Sequence, residues 1–269
     1  MTLTLETFPA MCIPAPDLAT VGEDRFCVPM GAAFDNELFA GAIGKGSDLS
    51  RYSASLRGTG ALVAKDQPAA LLDLMLKTSP YVLDIRCHYP FVVQERNDPL
   101  VIDRMVTVER WDAPGELHFH AIMLNVSGLR AVQRRLEREG VSCELFVPGR
   151  WSALEIDNAD YCYGLARQRN ILEAKTRRDA ALFAQMLYAS ERRRKKRSAI
   201  SLARYRVPTL DRLMQRLGQR IRVSRDEAYA HLGVGIILGY VCLPPAYELS
   251  PYVPLQLAPP LVKVRAVAI

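Results

Sequence analysis

The sequence predicts an α/β core followed by a helical C-terminal domain, and three observations carry that prediction. Between Asp66 and Phe91, DQPAALLDLMLKTSPYVLDIRCHYPF, helical spacing of apolar residues gives way to a strand. Two more strand-like runs, a helix and a short strand follow, the last ending at Val147. Beyond Glu191 the chain turns strongly basic and then carries two helical stretches with recognisable start and stop signals.

Residues 1–60 hold scattered Gly, Pro and Ser without sustained periodicity, and are expected to form an N-terminal arm that orders on a partner. Residues 61–150 form the predicted core. Leu71, Leu72, Met75 and Leu76 share a helix face, Thr78-Ser79-Pro80 ends that helix, and Val82, Leu83 and Ile85 suit a buried strand. The strands are placed at Tyr81 to Val93, Leu100 to Arg110 and Leu117 to Leu124. Ser127 to Glu139 reads as a helix closed by Gly140, and Ser142 to Val147 as a further strand.

Residues 151–200 read as a helical basic connector, and residues 201–269 as a C-terminal domain. In that domain Leu210, Leu213, Met214 and Leu217 line one helix face, with Gly218 expected to stop the helix. Ser224 and Glu227 form a capping box for a second helix through His231, after which Ile236 to Leu243 alternates toward a hairpin or wing. Helix, turn, capped helix and wing is the sequence form of a winged helix.

Composition bounds the function. The 269 residues are 49% hydrophobic, enough for a sizeable core, yet no apolar run reaches the roughly 18 residues that a membrane span needs. No basic segment followed by an apolar run opens the chain, so no secretory signal is expected. Six cysteines without a CxxC pair point to reduced thiols and a cytoplasmic location. The net charge of +6 is unevenly spread: Glu191 to Arg225 holds 13 Lys or Arg against two acids, leaving the remainder mildly acidic. That segregation favours a polyanion, most simply double-stranded DNA. The candidate contacts are Arg192, Arg193, Arg194, Lys195, Lys196, Arg197, Arg222 and Arg225, the competing reading being a solvated helix face or linker.

The run of helix, SPYVLDIR and an aromatic-Pro step resembles the TnsA endonuclease family, the DNA-cutting partner of the transposase in heteromeric cut-and-paste transposons. The helix–strand–strand–strand–helix–strand order matches the restriction-endonuclease-like core of that family, which also has a C-terminal winged-helix-like domain. The resemblance spans roughly Asp66 to Leu255. It implies a Mg²⁺-dependent nuclease, with carboxylates to hold the cation and a lysine to orient water.

Carried over residue by residue, that site is largely lost. The family's helix acid falls on Ala69, with Asp66 and Asp73 each about one turn away. The second acid falls on Asp103, in IDRMVT, and is kept. The strand that ends in an acid or glutamine, any residue and lysine falls on HFHAIML, placing Ile122 and Leu124 at the metal-binding and lysine positions. Lys65 and Lys77 lie on or before the wrong element. His118 and His120 share a strand face and could ligate a metal with Asp103, or simply pack; Cys87-His88 is a weak nucleophilic pair because neighbours on a strand diverge.

Three functions follow as expectations. The first is a catalytically degraded subunit that binds DNA and bridges a transposase subunit and an AAA+ transposition regulator, with no cofactor. The second is an active endonuclease with a rearranged site, using Mg²⁺. The third is a winged-helix DNA-binding regulator.

Overall fold

The structure, a computed structural model, describes residues 51–54, 61–64, 66–79, 82–91, 100–109, 117–125, 129–167, 169–171, 173–200 and 207–259. The described chain divides into two compact units, the first ending at Trp151 and the second starting at Ser152.

In the first unit, β1 (Arg51–Ala54) and β2 (Ala61–Ala64) pair antiparallel, Arg51 opposite Ala64. β1 falls in the stretch expected as loop; cross-strand pairing, which periodicity within four residues cannot reveal, makes it a strand. The rest of the proposed N-terminal arm, residues 1–50 and 55–60, lies outside the described residues. Helix α1 (Gln67–Thr78) starts because the Asp66 carboxylate accepts the Ala69 amide at 2.8 Å. Pro68 occupies its first turn, where no backbone donor is required.

A sheet follows, ordered β3 (Val82–Phe91), β4 (Leu100–Glu109), β5 (Leu117–Met123) and β6 (Ser142–Leu145). β3, β4 and β5 run antiparallel in turn, while β6 returns parallel to β5 after helix α2 (Leu129–Arg138). The order of elements is the one read from the sequence, with most ends shifted by one or two residues. Gly140 closes α2 with φ 67°: its amide reaches Glu137 O and the Val141 amide reaches Leu136 O, the two hydrogen bonds of a Schellman cap.

Successive residues of β5 serve opposite cores. Ile122 packs with Leu72 and Leu76 of α1 and with Val82, Ile85, Val106, Val108 and Phe146. Ala121 and Met123 pack with Met105, Ile102 and the α2 residues Val132 and Leu136. The sheet is thus covered by α1 on one face and α2 on the other. Each large side chain buried this way contributes about 1.5–3 kcal/mol relative to exposure.

The second unit is helical: α3 (Ala153–Ala166), α4 (Ala174–Ile200), α5 (Leu210–Ile221) and α6 (Arg225–Ile237). Ser152 and Glu155 form a complete capping box at the start of α3. Helix α6 packs against α3, α4 and α5, so the stretch expected as a connector is built into the same unit as the C-terminal helices. The wing is corrected. Residues 236 and 237 continue α6, whose buried side chains include Ala228, Tyr229, His231, Leu232, Val234 and Ile237. A short apolar run reads as strand or buried helix alike, and here enclosure by three helices decides. After α6 the chain turns at Gly239 and meets itself in a bridge of Cys242 with Ala258. Tyr188 ties that bridge, donating to Ala258 O at 2.7 Å and accepting from the Cys242 amide at 3.2 Å. Asn158 holds the same tail through Tyr247 O and the Leu249 amide, both at 2.8 Å.

Two glycines test this packing. A Cβ on Gly233 would lie 2.7 Å from Leu165 Cβ, whereas one on Gly164 would meet nothing within 4 Å. Gly233→Ala is expected to destabilise the protein by about 1–3 kcal/mol. Gly164→Ala, inside α3, should raise stability by about 0.5–1 kcal/mol. Thermal unfolding of the two variants beside the parent protein checks both signs.

Candidate functional site

The acid-bearing positions of the sheet have definite partners. Arg104 pairs in register with Ile122, and antiparallel pairing then carries Asp103 to the side of Met123. Asp103 therefore turns away from the face that Ile122 and α1 share. Its carboxylate accepts the Leu124 amide at 2.8 Å. Arg104 occupies the α1 face instead. Its Nε meets Asp73 Oδ1 at 2.5 Å and its Nη2 meets Asp73 Oδ2 at 2.9 Å, while Nη1 donates to the Asp103 carbonyl at 2.7 Å. Both side chains of this pair are almost wholly enclosed, at 1% and 2% exposure. Burial raises the Asp73 carboxyl above its ordinary range, with the guanidinium of Arg104 and the charge of Lys77 opposing it.

Each acid considered for a metal site is thus engaged elsewhere. Asp66 caps α1, Asp73 binds Arg104, and Asp103 holds the Leu124 amide. Ile122 is buried in the core and Leu124 packs against it. Ala69 is buried and carries no donor atom. Lys77 is buried on α1, and Lys65 lies outside the described residues. This donor set does not fit a divalent cation that asks for converging oxygen ligands. Among the described residues no group of three His, Cys, Asp or Glu side chains is placed to share an ion.

The same register bears on Asp103, His118 and His120. His118 lies opposite Val108 and His120 opposite Val106, on the α1 face that Asp103 leaves. His118 is exposed and His120 buried. The His120 Nδ1 is hydrogen-bonded to Ser142 Oγ, and its Nε2 lies 3.4 Å from Glu144 Oε1, within ion-pair reach but off hydrogen-bond alignment. Glu144 in turn meets Arg150 Nη1 at 3.1 Å. Burial alone would raise the Glu144 carboxyl; His120 and then Arg150 outweigh it and hold the group below its usual value. The side chains of Cys87 and His88 lie outside the described residues. Cys143, Cys162 and Cys242 are free thiols, burial pushing Cys162 up to about 12 and Cys143 to about 11.

In the helical unit the basic residues separate into different roles. Arg192, Arg193, Arg194 and Lys195 are consecutive on α4, so their side chains fan around the axis instead of sharing a face. Arg192, Arg193 and Lys195 are exposed; Arg194 pairs with Glu191 and lines a small cavity with Leu187, Val207, Leu213 and Leu255. The side chains of Lys196 and Arg197 lie outside the described residues. Arg225 leans on Asp211 at 3.4 Å and on Asp226 at 3.5 Å. Asp226 and Glu227 occupy the first turn of α6, and Ser224 accepts the Glu227 amide at 3.1 Å. That helix start is therefore capped and acidic.

Helix α5 supplies what the sequence reading misses. Gly218 does not end it; a Cβ there would approach Val223 O to 3.0 Å, so the glycine admits the returning chain. The helix ends at Ile221, and Arg222 takes the left-handed cap at φ 60°. Leu210, Met214 and Leu217 face the core, while Arg212, Gln215, Arg216, Gln219, Arg220 and Arg222 are exposed. The regular spacing of Arg212, Arg216 and Arg220, one helical turn apart, is the signal available in the sequence.

No protein-family model and no curated protein matches this chain.

The buried pair sets a stability expectation. Removing one partner leaves the other charge enclosed without compensation, so Arg104→Met or Asp73→Leu alone should cost about 3–5 kcal/mol. The double variant should recover a large part of that loss. Chemical denaturation of the four proteins in a double-mutant cycle measures the coupling, and independent, additive losses would show that the pair does not act as a unit.

Proposed function

We propose that the chain is a nuclease-derived, non-cleaving subunit of a DNA transposition complex, similar to TnsA, which binds double-stranded DNA and bridges a transposase subunit and an AAA+ regulator. The observation that carries the non-cleaving part is the engagement of Asp66, Asp73 and Asp103 by a helix end, a guanidinium and a backbone amide. Support for nuclease ancestry comes from the order α1-β3-β4-β5-α2-β6 and from the parallel return of β6, which suit a restriction-endonuclease-like core. Support for DNA comes from the 13 basic residues between Glu191 and Arg225 and from their exposed members on α4 and α5.

The two other readings have less behind them. An active metal-dependent endonuclease needs converging carboxylates and a lysine, and the α1 face offers Arg104 and Ile122 in their place. A winged-helix regulator needs a second helix free to enter a groove, and α6 is enclosed by three helices.

Duplex DNA carrying transposon ends, incubated with the protein and Mg²⁺ or Mn²⁺, is expected to stay uncut. Binding to the same DNA should weaken steeply as salt rises, by a slope of about 0.9 per phosphate contacted. Metal-dependent cleavage that Asp103→Ala abolishes would overturn the non-cleaving assignment. The bridging role predicts co-purification with a transposase and an AAA+ protein encoded beside the gene, and failure of both to associate would remove it.

A further inference from the structure

We propose that the solvent face of α5 is the track that grips the phosphate backbone of duplex DNA, with Arg212, Arg216 and Arg220 along it and Arg222 at its end. This deepens the DNA-binding reading and rests on it. At a rise of about 1.5 Å per residue the three arginines of the helix stand about 6 Å apart along one face, a row of cations that can meet the regularly spaced phosphates of a duplex strand. Among the described residues no carboxylate pairs with any of the three. Like charges four residues apart repel on a helix, so this arrangement weakens folding and calls for an external anion. Gln215 and Gln219 are exposed beside them and add amide donors, while no aromatic residue lies between Arg212 and Arg222 to stack on bases. A duplex backbone fits this set better than a single strand.

Arg222 is the second, independent observation. The Val223 amide reaches Gly218 O at 3.0 Å and the Arg222 amide reaches Gln219 O at 3.4 Å, so Arg222 stands at the left-handed position of a Schellman cap. Glycine takes that position at least cost, and a long β-carbon-bearing side chain there is strained. Keeping an arginine in this place sacrifices stability and gains a cation fixed at the end of the stripe. The neighbouring helix cannot serve instead. α6 opens on Asp226 and Glu227, and Arg225 is drawn onto Asp211 and Asp226.

The test uses the full chain and a duplex of random sequence, read by fluorescence anisotropy across salt concentrations. Arg212→Ala/Arg216→Ala/Arg220→Ala should raise Kd about tenfold or more and reduce the salt slope by about 2–3, with circular dichroism unchanged. The corresponding triple lysine variant should restore most of the slope. Arg222→Gly should raise Tm while lowering affinity, an opposite pair of signs that a merely structural arginine would not produce. If the parent protein binds duplex DNA and the triple alanine variant keeps its affinity and slope, the α5 track is overturned and the DNA-binding reading stands. If the parent protein fails to bind duplex at low salt, both fall. Polyglutamate that competes as well as duplex, or single strands that bind as tightly, would overturn duplex DNA as the ligand of this face.

Discussion

The first unit depends on the ion pair between Asp73 and Arg104. It joins α1 to the inner strand β4 through two hydrogen bonds, and both side chains are nearly inaccessible to water. Two charges in such a place are tolerable only together, because desolvation penalises each and the bidentate geometry offsets the penalty. The same guanidinium donates to the Asp103 carbonyl, so strand, helix and the next acid along are positioned by one side chain. Leu72 and Leu76, on either side of Asp73 along the helix, then meet Val106 and Ile122 in a fixed register. A small shift of α1 would separate the charges, and apolar packing alone would not resist it with comparable directionality.

The helical unit is organised by a different constraint, the enclosure of α6. Gly233 permits close approach to α3, with Leu165 Cβ and Cys162 O at the place a β-carbon would fill. The His231 ring lies 5.8 Å from the Phe183 ring, and burial lowers its pKa so that the neutral form is favoured. A helix committed to a core in this way has little surface left for recognition. The exposed polar surface moves to α5, whose apolar face of Leu210, Met214 and Leu217 is narrow enough to leave the other side to arginine and glutamine.

Periodicity makes much of this legible. Leu72, Met75 and Leu76 announce α1, Gly140 announces the end of α2, and Ser224 announces the start of α6. What stays hidden is information that belongs to pairs. The Asp73–Arg104 contact joins residues 31 apart in sequence, although each charge sits at a position where its element is otherwise apolar. Which of Asp103 and Arg104 faces α1 depends on register, and a slip of one residue reverses it. The run Arg192 to Arg197 reads as a single patch because it is contiguous, yet the side chains of Arg192 to Lys195, consecutive on α4, fan around the axis, and spacing by four gathers them. Ile236 and Ile237 are ambiguous for a physical reason: buried helix and buried strand both demand apolar residues without interruption.

Among the described residues, the lack of a converging acid set and the buried core around Arg104 are two aspects of one arrangement of residues. Carboxylates converging on one face repel each other and resist ionisation unless a cation is present. A bound divalent ion supplies that cation conditionally, through an equilibrium that depends on its concentration. Arg104 supplies a cation covalently and permanently, and Asp73 answers it from α1. Asp103 is turned to the opposite face and Ile122 fills the core, so the pairing of β4 with β5 gathers no carboxylates around Arg104 that would demand an ion. In the proposed role, contact with nucleic acid falls instead to the arginines of α5, where positive charge would be matched by phosphate and not by the protein itself.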